Sequence, residues 1–251
     1  MIEANELVGL LALAVPELAP PDDLRARVLA RAEREDDFFF RFADDPSWEV
    51  RGPAGVTLRR LTPDQAPEGE LTLLTLPAGA THLPDDGAGT EHLFVVSGEV
   101  ESGDGPLSEG DFVALGRRKR VLRSRGAPAV VLSIRLAGPP AGESSTRAVS
   151  ANDGEWNTLA PGTTFRSLTP NAADQAQIAF VRMDAGASVE GHPHQGTEAL
   201  FMLSGDCWCA GEELGVGDYH RARAGSTHTV TSTRSGCTMI LISYPPSSRA
   251  A

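Results

Sequence analysis

Short apolar segments alternate with turn-forming segments along most of the chain. Each apolar segment has six to eight residues and is rich in Val, Ile, Leu and Phe; they lie at 71–76, 92–98, 129–136, 176–183, 199–205 and 238–244. Clusters of Gly, Pro, Asp and Ser separate them. This pattern predicts β-strands joined by short turns, and many short strands favour a sandwich or a barrel. We therefore expect an all-β fold for the larger part of the chain.

The strand pattern occurs twice, at a constant offset of 107 residues. Residues 89–99 and 196–206 are identical at seven of eleven positions, and the same offset pairs further motifs without a gap from residue 55 to residue 111. A constant offset over such a span indicates a duplicated domain of about a hundred residues. We predict one domain at 46–140 and a second at 150–246, joined by a linker rich in Pro, Gly and Ser.

The first 45 residues have a different pattern, which predicts a helical arm. Residues 20–36 form an amphipathic segment with a narrow apolar stripe, and Asp22 or Asp23 behind a Pro pair can cap it. Four phenylalanines follow, namely Phe38, Phe39, Phe40 and Phe42. Packing of the arm onto the first sheet is the favoured interpretation of this cluster. A patch that binds a partner is the alternative, because contiguous exposed apolar surface usually marks an interface.

Charge and cysteine usage narrow the classes of function. The chain has 22 basic and 34 acidic residues, a net charge of −12, and a single lysine, Lys119. Direct binding to nucleic acid is therefore not expected, because it draws its affinity from positive surface. Three cysteines fit a reducing cytoplasm better than a secreted disulfide scaffold. The apolar run from Leu7 to Val15 is too short to span a bilayer, so we expect a cytoplasmic protein without a membrane anchor.

A group of metal-ligating residue types lies in the second repeat. His192 and His194 are two residues apart, Glu198 follows at even spacing, and His228 comes after a turn at 224–226. Residues at i and i+2 face one side of a strand, and Glu198 shares that face if the strand continues. Three imidazoles and one carboxylate suit Zn²⁺, Fe²⁺, Mn²⁺ or Ni²⁺. A hydrogen-bonded core residue is the ordinary role of one buried histidine, but the joint pattern favours a metal site.

The first repeat provides an internal comparison for this group. The positions equivalent to the four ligands hold Asp85, Gly87, Glu91 and Val121. The carboxylate is kept, and the imidazoles are not. We therefore predict one metal site, in the second repeat, and a first repeat without one.

The other histidines and the cysteines have less specific patterns. His82 and His92 are predicted to lie at the surface, and His92 should face away from Glu91. His220 could support the site from outside the ligand set. Two thiols leave a zinc site incomplete, so Cys207 and Cys209 are better explained as small strand residues than as a zinc or redox site. Cys237 has no evident partner.

The second repeat resembles the two motifs of the cupin family. Gly186, His192, His194, Glu198 and Gly205 have the spacing of the first motif, and Gly217, Gly225 and His228 that of the second, with Arg223 where proline is usual. The resemblance implies a jelly-roll β-barrel present twice, a bicupin. The expected fold is thus two tandem cupin barrels behind a short α-helical N-terminal arm.

More narrowly, the chain resembles the ChrR-type cupins. The segments GASVEGHPHQGTEALFMLSG and GDYHRARAGSTH are similar to the barrel of that family, and residues 11–33 resemble the tail of its anti-sigma domain. The resemblance implies zinc in the barrel and a sigma factor, or another protein, as partner of the arm. The chain departs from the family in one respect: the His/Cys zinc-binding helices of the anti-sigma domain are absent, and no cysteine precedes Cys207.

Two classes of function remain open from the sequence. The favoured class is a sensor or regulator, in which a metal or small ligand in the second barrel acts through the arm on a protein partner. The alternative is a metal-dependent dioxygenase or related small-molecule enzyme, in which His220, Tyr219 or Arg223 could supply pocket chemistry. Iron, manganese and nickel remain alternatives to zinc, and assembly into a homodimer is left open.

Overall fold

The computed structural model describes residues 37–64, 66–83, 89–103, 105–116, 121–137, 148–149, 153–169 and 176–246. The predicted helix at 20–36 lies outside the described residues, as do 138–147 of the predicted linker. The described part is built almost entirely of β-strands, with 3₁₀ turns at Pro46–Trp48 and Pro53–Gly55. No described helix is long and apolar enough to cross a membrane.

The strands fall into two sets that follow the sequence repeat. The first set is β2 (Glu49–Arg51), β3 (Thr57–Arg60), β4 (Gly69–Leu76), β5 (Thr81–His82), β6 (Thr90–Ser97), β7 (Glu99–Glu101), β8 (Pro106–Ser108), β9 (Phe112–Gly116), β10 (Leu122–Ser124) and β11 (Ala129–Leu136). The second set is β13 (Asn157–Ala160), β14 (Thr163–Ser167), β15 (Gln177–Met183), β16 (Ser188–Glu190), β17 (Glu198–Gly205), β18 (Cys207–Cys209), β19 (Glu212–Leu214), β20 (Tyr219–Ala222), β21 (Val230–Ser232) and β22 (Cys237–Ser243). All six strands predicted from apolar segments are present.

Each repeat folds into one large and one small antiparallel sheet with the same strand order. The first repeat has the orders β12-β9-β6-β11-β4-β3-β2 and β5-β10-β7-β8, where β12 is Ala148–Val149. The second has β1-β20-β17-β22-β15-β14-β13 and β16-β21-β18-β19, where β1 is Phe38–Arg41. The prediction of an all-β fold with a duplicated barrel is therefore confirmed for the described residues.

The repeats exchange one strand each. β1 precedes the first repeat but pairs with β20 of the second, and β12 precedes the second repeat but pairs with β9 of the first. The prediction that the phenylalanine cluster packs the arm onto the first sheet is wrong for Phe38 and Phe40, which lie opposite Ala222 and His220 of the second repeat. Phe39, on the other face of β1, packs against the apolar cluster that both large sheets share. Edge strands of both sheets offer unpaired backbone groups, and nothing in the local sequence tells which edge a preceding strand will join.

Strand alternation divides the buried side chains among three clusters. In β17, Leu200 and Met202 point into the second barrel, whereas Ala199 and Phe201 point out of it. The outward residues join side chains of the first repeat, such as Phe94, in one shared cluster between the two large sheets. Burying a side chain as large as phenylalanine stabilises the fold by roughly 2–3 kcal/mol, so this cluster holds the two barrels together.

His92 lies in this interface and not at the surface. His92 faces away from Glu91, as predicted. The face of β6 on which it lies is covered, and its ring stacks on Phe112 with ring centroids 5.5 Å apart. Burial lowers the pKa of His92 to about 4. The prediction of a surface position is therefore wrong for His92, because the outer face of β6 is covered by the second repeat. His82 is half-buried.

Candidate metal centre

Two chain segments pair at the mouth of the second barrel and carry the predicted histidines. Pro193 forms an isolated antiparallel bridge with Thr227. The backbone N–H of His194 donates to the carbonyl of Ser226 (2.9 Å), and the N–H of His228 donates to that of His192 (3.3 Å). These bonds fix the backbones of all three histidines relative to one another.

A glycine permits this close pairing. At Gly191 a Cβ atom would clash with the backbone oxygen of Thr229, so only glycine fits the approach of the two segments. The predicted turn at 224–226 is present and returns the chain toward His194, whose carbonyl accepts a hydrogen bond from the Gly225 N–H (2.7 Å).

The structure brings the four predicted residues together. One potential ligand atom from each of His192, His194, Glu198 and His228 lies within 4.8 Å of those of the other three. The rings of His194 and His228 are closest, with centroids 4.4 Å apart, and the ring of His192 is 5.0 Å from that of His194. Nδ1 of His194 is 3.9 Å from Oε1 of Glu198.

The route to this convergence differs from the prediction. No continuous strand joins His192 to Glu198. Residues 191–197 form a loop in which Pro193 alone pairs with another segment, and β17 begins at Glu198. Even spacing along one strand is therefore not what aligns these side chains. Pairing with the 224–229 segment aligns the histidines, and the first residue of β17 adds the carboxylate.

The electrostatics of the four residues favour a cation among them. Burial lowers the pKa of His194, with a smaller effect of His192, and burial with the neighbouring histidines lowers the pKa of His228 to about 4. Burial also raises the pKa of Glu198. Neutral imidazoles are the form that binds metal, and Nε2 of His194 is buried without a hydrogen-bond partner. The donor set and this unpartnered nitrogen both fit a divalent ion.

Two further side chains border the four-residue group. Nε2 of His220 lies 3.0 Å from Nε2 of His228, and Sγ of Cys209 lies 3.6 Å from the same nitrogen. All three residues are buried, and burial raises the pKa of the Cys209 thiol to about 12. The prediction of Cys209 as a small strand residue agrees with its place in β18, but it missed the neighbouring histidines. The even spacing of Cys207 and Cys209 predicted that both thiols lie on one face of the strand. It did not predict which residues of other strands this face contacts.

The exchanged strand β1 forms a wall of this site. Phe38 stacks on His228 with ring centroids 5.3 Å apart, and Phe40 stacks on His220 at 4.6 Å. Phe40 also contributes to the apolar cluster inside the second barrel. The site is therefore bounded in part by the last residues of the predicted N-terminal arm (1–45), which form a strand and not a helix here. Tyr219, one of the pocket residues considered above, instead belongs to the shared cluster between the barrels.

The equivalent region of the first barrel differs. Glu91 is buried and accepts a hydrogen bond from the hydroxyl of Ser133 (2.8 Å). The sequence offset assigned Val121 to the position of His228, but the strand registers pair Arg123 with Thr81 and Ser232 with Ser188, so exposed Val121 is equivalent to Val230. The residue equivalent to His228 then lies outside the described residues. Asp85 and Gly87 lie outside the described residues. Within the described part of the chain, both groups of potential metal ligands are in the second barrel.

Comparison with known proteins identifies the second repeat. Residues 144–246 match the family model described as ChrR Cupin-like domain. The resemblance to ChrR-type cupins is therefore confirmed for this part of the chain. No curated protein sequence matches the chain.

Several solved structures share the two-barrel fold. YlbA from E. coli has a TM-score of 0.64 and 15% identity, over 82% of this chain and 90% of that chain. Bacterial pirin YhhW from Escherichia coli, in complex with nickel(II), has a TM-score of 0.61 and 11% identity over 83% and 99%. Lactobacillus farciminis oxalate decarboxylase, in a formate complex, has a TM-score of 0.61 and 11% identity over 83% and 86%. At these identities the likeness establishes a bicupin fold.

Proposed function

We propose that this bicupin is a metal-dependent regulatory protein. The second barrel binds one divalent ion through His192, His194, Glu198 and His228, and the state of that site acts through β1 on the N-terminal arm. The arm in turn contacts a protein partner, for which a sigma factor is the expectation from the ChrR-type resemblance. The observation that carries the proposal is the stacking of Phe38, at the end of the arm, on the predicted ligand His228.

Zinc is the favoured ion. Three imidazoles and a carboxylate form a donor set that Zn²⁺ accepts, and the ChrR-type resemblance of the second barrel points the same way. When bound, the ion supplies positive charge and Lewis acidity, and it links two backbone segments and the start of β17. The residues of the chain orient it: the backbone pairing between the two segments holds the histidines, and the Ser243 hydroxyl donates to Glu198.

The coupling to the arm follows from packing. A histidine that binds a metal is held in one orientation, and Phe38 stacks on that ring. Loss of the ion frees the ring of His228 and weakens the aromatic contact with β1, which is an edge strand paired on one side with β20. Aromatic pairs contribute about 0.5–1.5 kcal/mol beyond the area they bury, enough to change how often such a strand detaches.

Hydrogen exchange tests this coupling with a control inside the same molecule. Metal-loaded and metal-free chains are compared at the backbone amides of β1 and of β12, the equivalent strand of the first barrel. We expect the metal to slow exchange at Phe38–Arg41 and to leave exchange at Ala148–Val149 unchanged. Equal exchange at β1 in both states would contradict the proposal.

Binding of purified sigma factors to the full chain, with and without zinc, then tests the partner.

An enzymatic function is the second candidate. The same three-histidine, one-carboxylate set suits a redox-active iron, and His220 and Cys209 lie beside it inside the barrel. Oxygen consumption by the Fe²⁺-loaded chain, measured with β-diketones and similar chelating substrates, tests this candidate. Turnover that is lost in Glu198→Gln would favour the enzyme over the regulator.

A further inference from the structure

Three buried side chains inside the second barrel form a potential ligand group of a different chemistry. Cys209, His220 and His228 place one sulfur and two imidazole nitrogens within 4.8 Å of one another. The contacts are close: 3.0 Å between the two Nε2 atoms and 3.6 Å from Sγ to Nε2 of His228. Cys209 and His220 are each about 1% exposed, so bulk water does not reach their polar atoms.

Apolar side chains pack against Cys209 and His220. Cys209 lies in the interior cluster of the second barrel with residues such as Leu200 and Met202. Phe40 covers His220. His220 and His228 share a hydrogen bond between their Nε2 atoms, and the Cys209 thiol has weak contacts with His228 and with the Thr231 hydroxyl at 3.7 Å. A thiol is a weak hydrogen-bonding group, so these contacts satisfy the buried polar atoms poorly. A shared ion would satisfy all three at once.

The duplicated barrel shows that the fold does not require these residue types. The first barrel has Ser102 at the position of Cys209 and Val113 at that of His220. Its strand order is the same. The fold therefore does not require the thiol of Cys209 or the imidazole of His220.

We propose that Cys209, His220 and His228 form a second metal-ligand set, which takes a thiophilic ion such as Zn²⁺, Cd²⁺ or Cu⁺. Thiolate and imidazole are soft and intermediate donors, whereas the four-residue group includes a hard carboxylate. When the ion binds, the Cys209 thiol loses its proton to solvent and sulfur becomes a ligand as thiolate. The inference does not depend on the proposed function of the protein.

The two sets share His228, and this makes them competitors. A neutral imidazole has one ring nitrogen with a free lone pair, so His228 completes one set or the other at a given moment. Hard ions such as Mn²⁺ are expected to use His192, His194 and Glu198. Soft ions are expected to be drawn deeper into the barrel by Cys209.

Cd²⁺ binding to the full chain tests the proposal without any substitution. A thiolate ligand gives a sulfur-to-cadmium charge-transfer band in the ultraviolet, and we expect this band at one thiolate per bound ion. We expect Cys209→Ser to abolish the band and to weaken Cd²⁺ binding by about 100-fold, with little change in Mn²⁺ binding. Cys207→Ser is the matched control, because Cys207 is a buried thiol on the same face of β18; it should keep the band.

A chain with His192→Ala and Glu198→Gln isolates the second set. It should lose Mn²⁺ binding, measured by electron paramagnetic resonance, and still show the thiolate band with Cd²⁺ or Co²⁺. Circular dichroism confirms that each variant is folded. Absence of the band in the unsubstituted chain, its survival in Cys209→Ser, or its equal loss in Cys207→Ser would each overturn the proposal. Failure of Mn²⁺ binding in the unsubstituted chain would instead count against the four-residue site.

Discussion

Phe40 lies directly opposite His220 in the register of β1 and β20, and their rings are stacked with centroids 4.6 Å apart. This pair joins the last part of the predicted N-terminal arm to the interior of the second barrel. The strand exchange makes the contact available, because β1 pairs with the second barrel and not with the repeat that follows it in sequence. A movement of His220 or His228 therefore changes the contacts of β1.

Shortening Phe40 should loosen β1. We expect Phe40→Ala to lower the free energy of unfolding by about 2 kcal/mol, less than for a fully buried phenylalanine because Phe40 is half-buried. Exchange at the β1 amides should accelerate in the same variant. Chemical denaturation and hydrogen exchange measure the two effects. Leu159→Ala, at an exposed position in the opposite edge strand β13, serves as the control and should change stability by less than about 0.5 kcal/mol.

Removing the carboxylate charge at the four-residue group should weaken metal binding. We expect Glu198→Gln to lower the affinity for Zn²⁺ or Mn²⁺ by at least about tenfold, because a neutral amide replaces the one anionic ligand. Titration against a competing chelator gives the affinity. Glu190→Gln controls for the change of net charge, since Glu190 is exposed and outside the group. An equal loss of affinity in both variants would assign the effect to general electrostatics.

His92 should make the fold sensitive to acid. Its pKa is about 4 in the folded protein and about 6.5 in the unfolded chain, so the unfolded state binds more protons between these values. The contribution of His92 to stability is therefore lost as the pH falls from about 6.5 to 4, by up to about 3 kcal/mol. His92→Phe keeps a ring against Phe112 and should flatten this part of the pH profile. Urea unfolding at pH 7.5 and pH 4.5 compares the two chains, and identical profiles would contradict the assignment.

Much of the fold was predictable from sequence because it depends on local patterns. Apolar segments such as 129–136 match the strand bounds, and the offset of 107 residues predicted the duplicated domain that appears as one strand order used in both repeats. The four-residue group was also found by spacing and residue type. Its geometry was not, since the extended loop at 191–197 and its pairing with 224–229 replace the continuous strand that was expected.

Contacts between distant elements account for what the sequence left hidden. Strand alternation places His92 on the outer face of the first barrel. That this face is buried follows only from the packing of the second repeat against it. Cys209 and His220 lie on different strands, and their distance to His228 depends on how two sheets face each other. The partner of β1 likewise depends on which sheet edge is free, which no local pattern records.

The ion pair between Glu68 and Arg221 should contribute to the joining of the two barrels. Glu68 of the first repeat accepts a hydrogen bond from Arg221 of the second at 2.7 Å and another from the Thr197 hydroxyl, and both charged side chains are largely buried.

Substituting one partner leaves the other charge buried and unpaired, so Glu68→Gln should lower the free energy of unfolding by about 3 kcal/mol. Replacing both, as in Glu68→Leu with Arg221→Met, should recover most of that loss, because no charge is then left without a partner. Arg60→Met is the comparison for exposed ion pairs, those of Arg60 with Asp64 and Glu70, and should cost less than about 1 kcal/mol. Urea unfolding of these chains measures each loss of stability. The single variants Glu68→Leu and Arg221→Met complete the double-mutant cycle that gives the coupling energy. A double variant no more stable than Glu68→Gln alone would show that packing around these side chains, and not their charge, holds the barrels at this point.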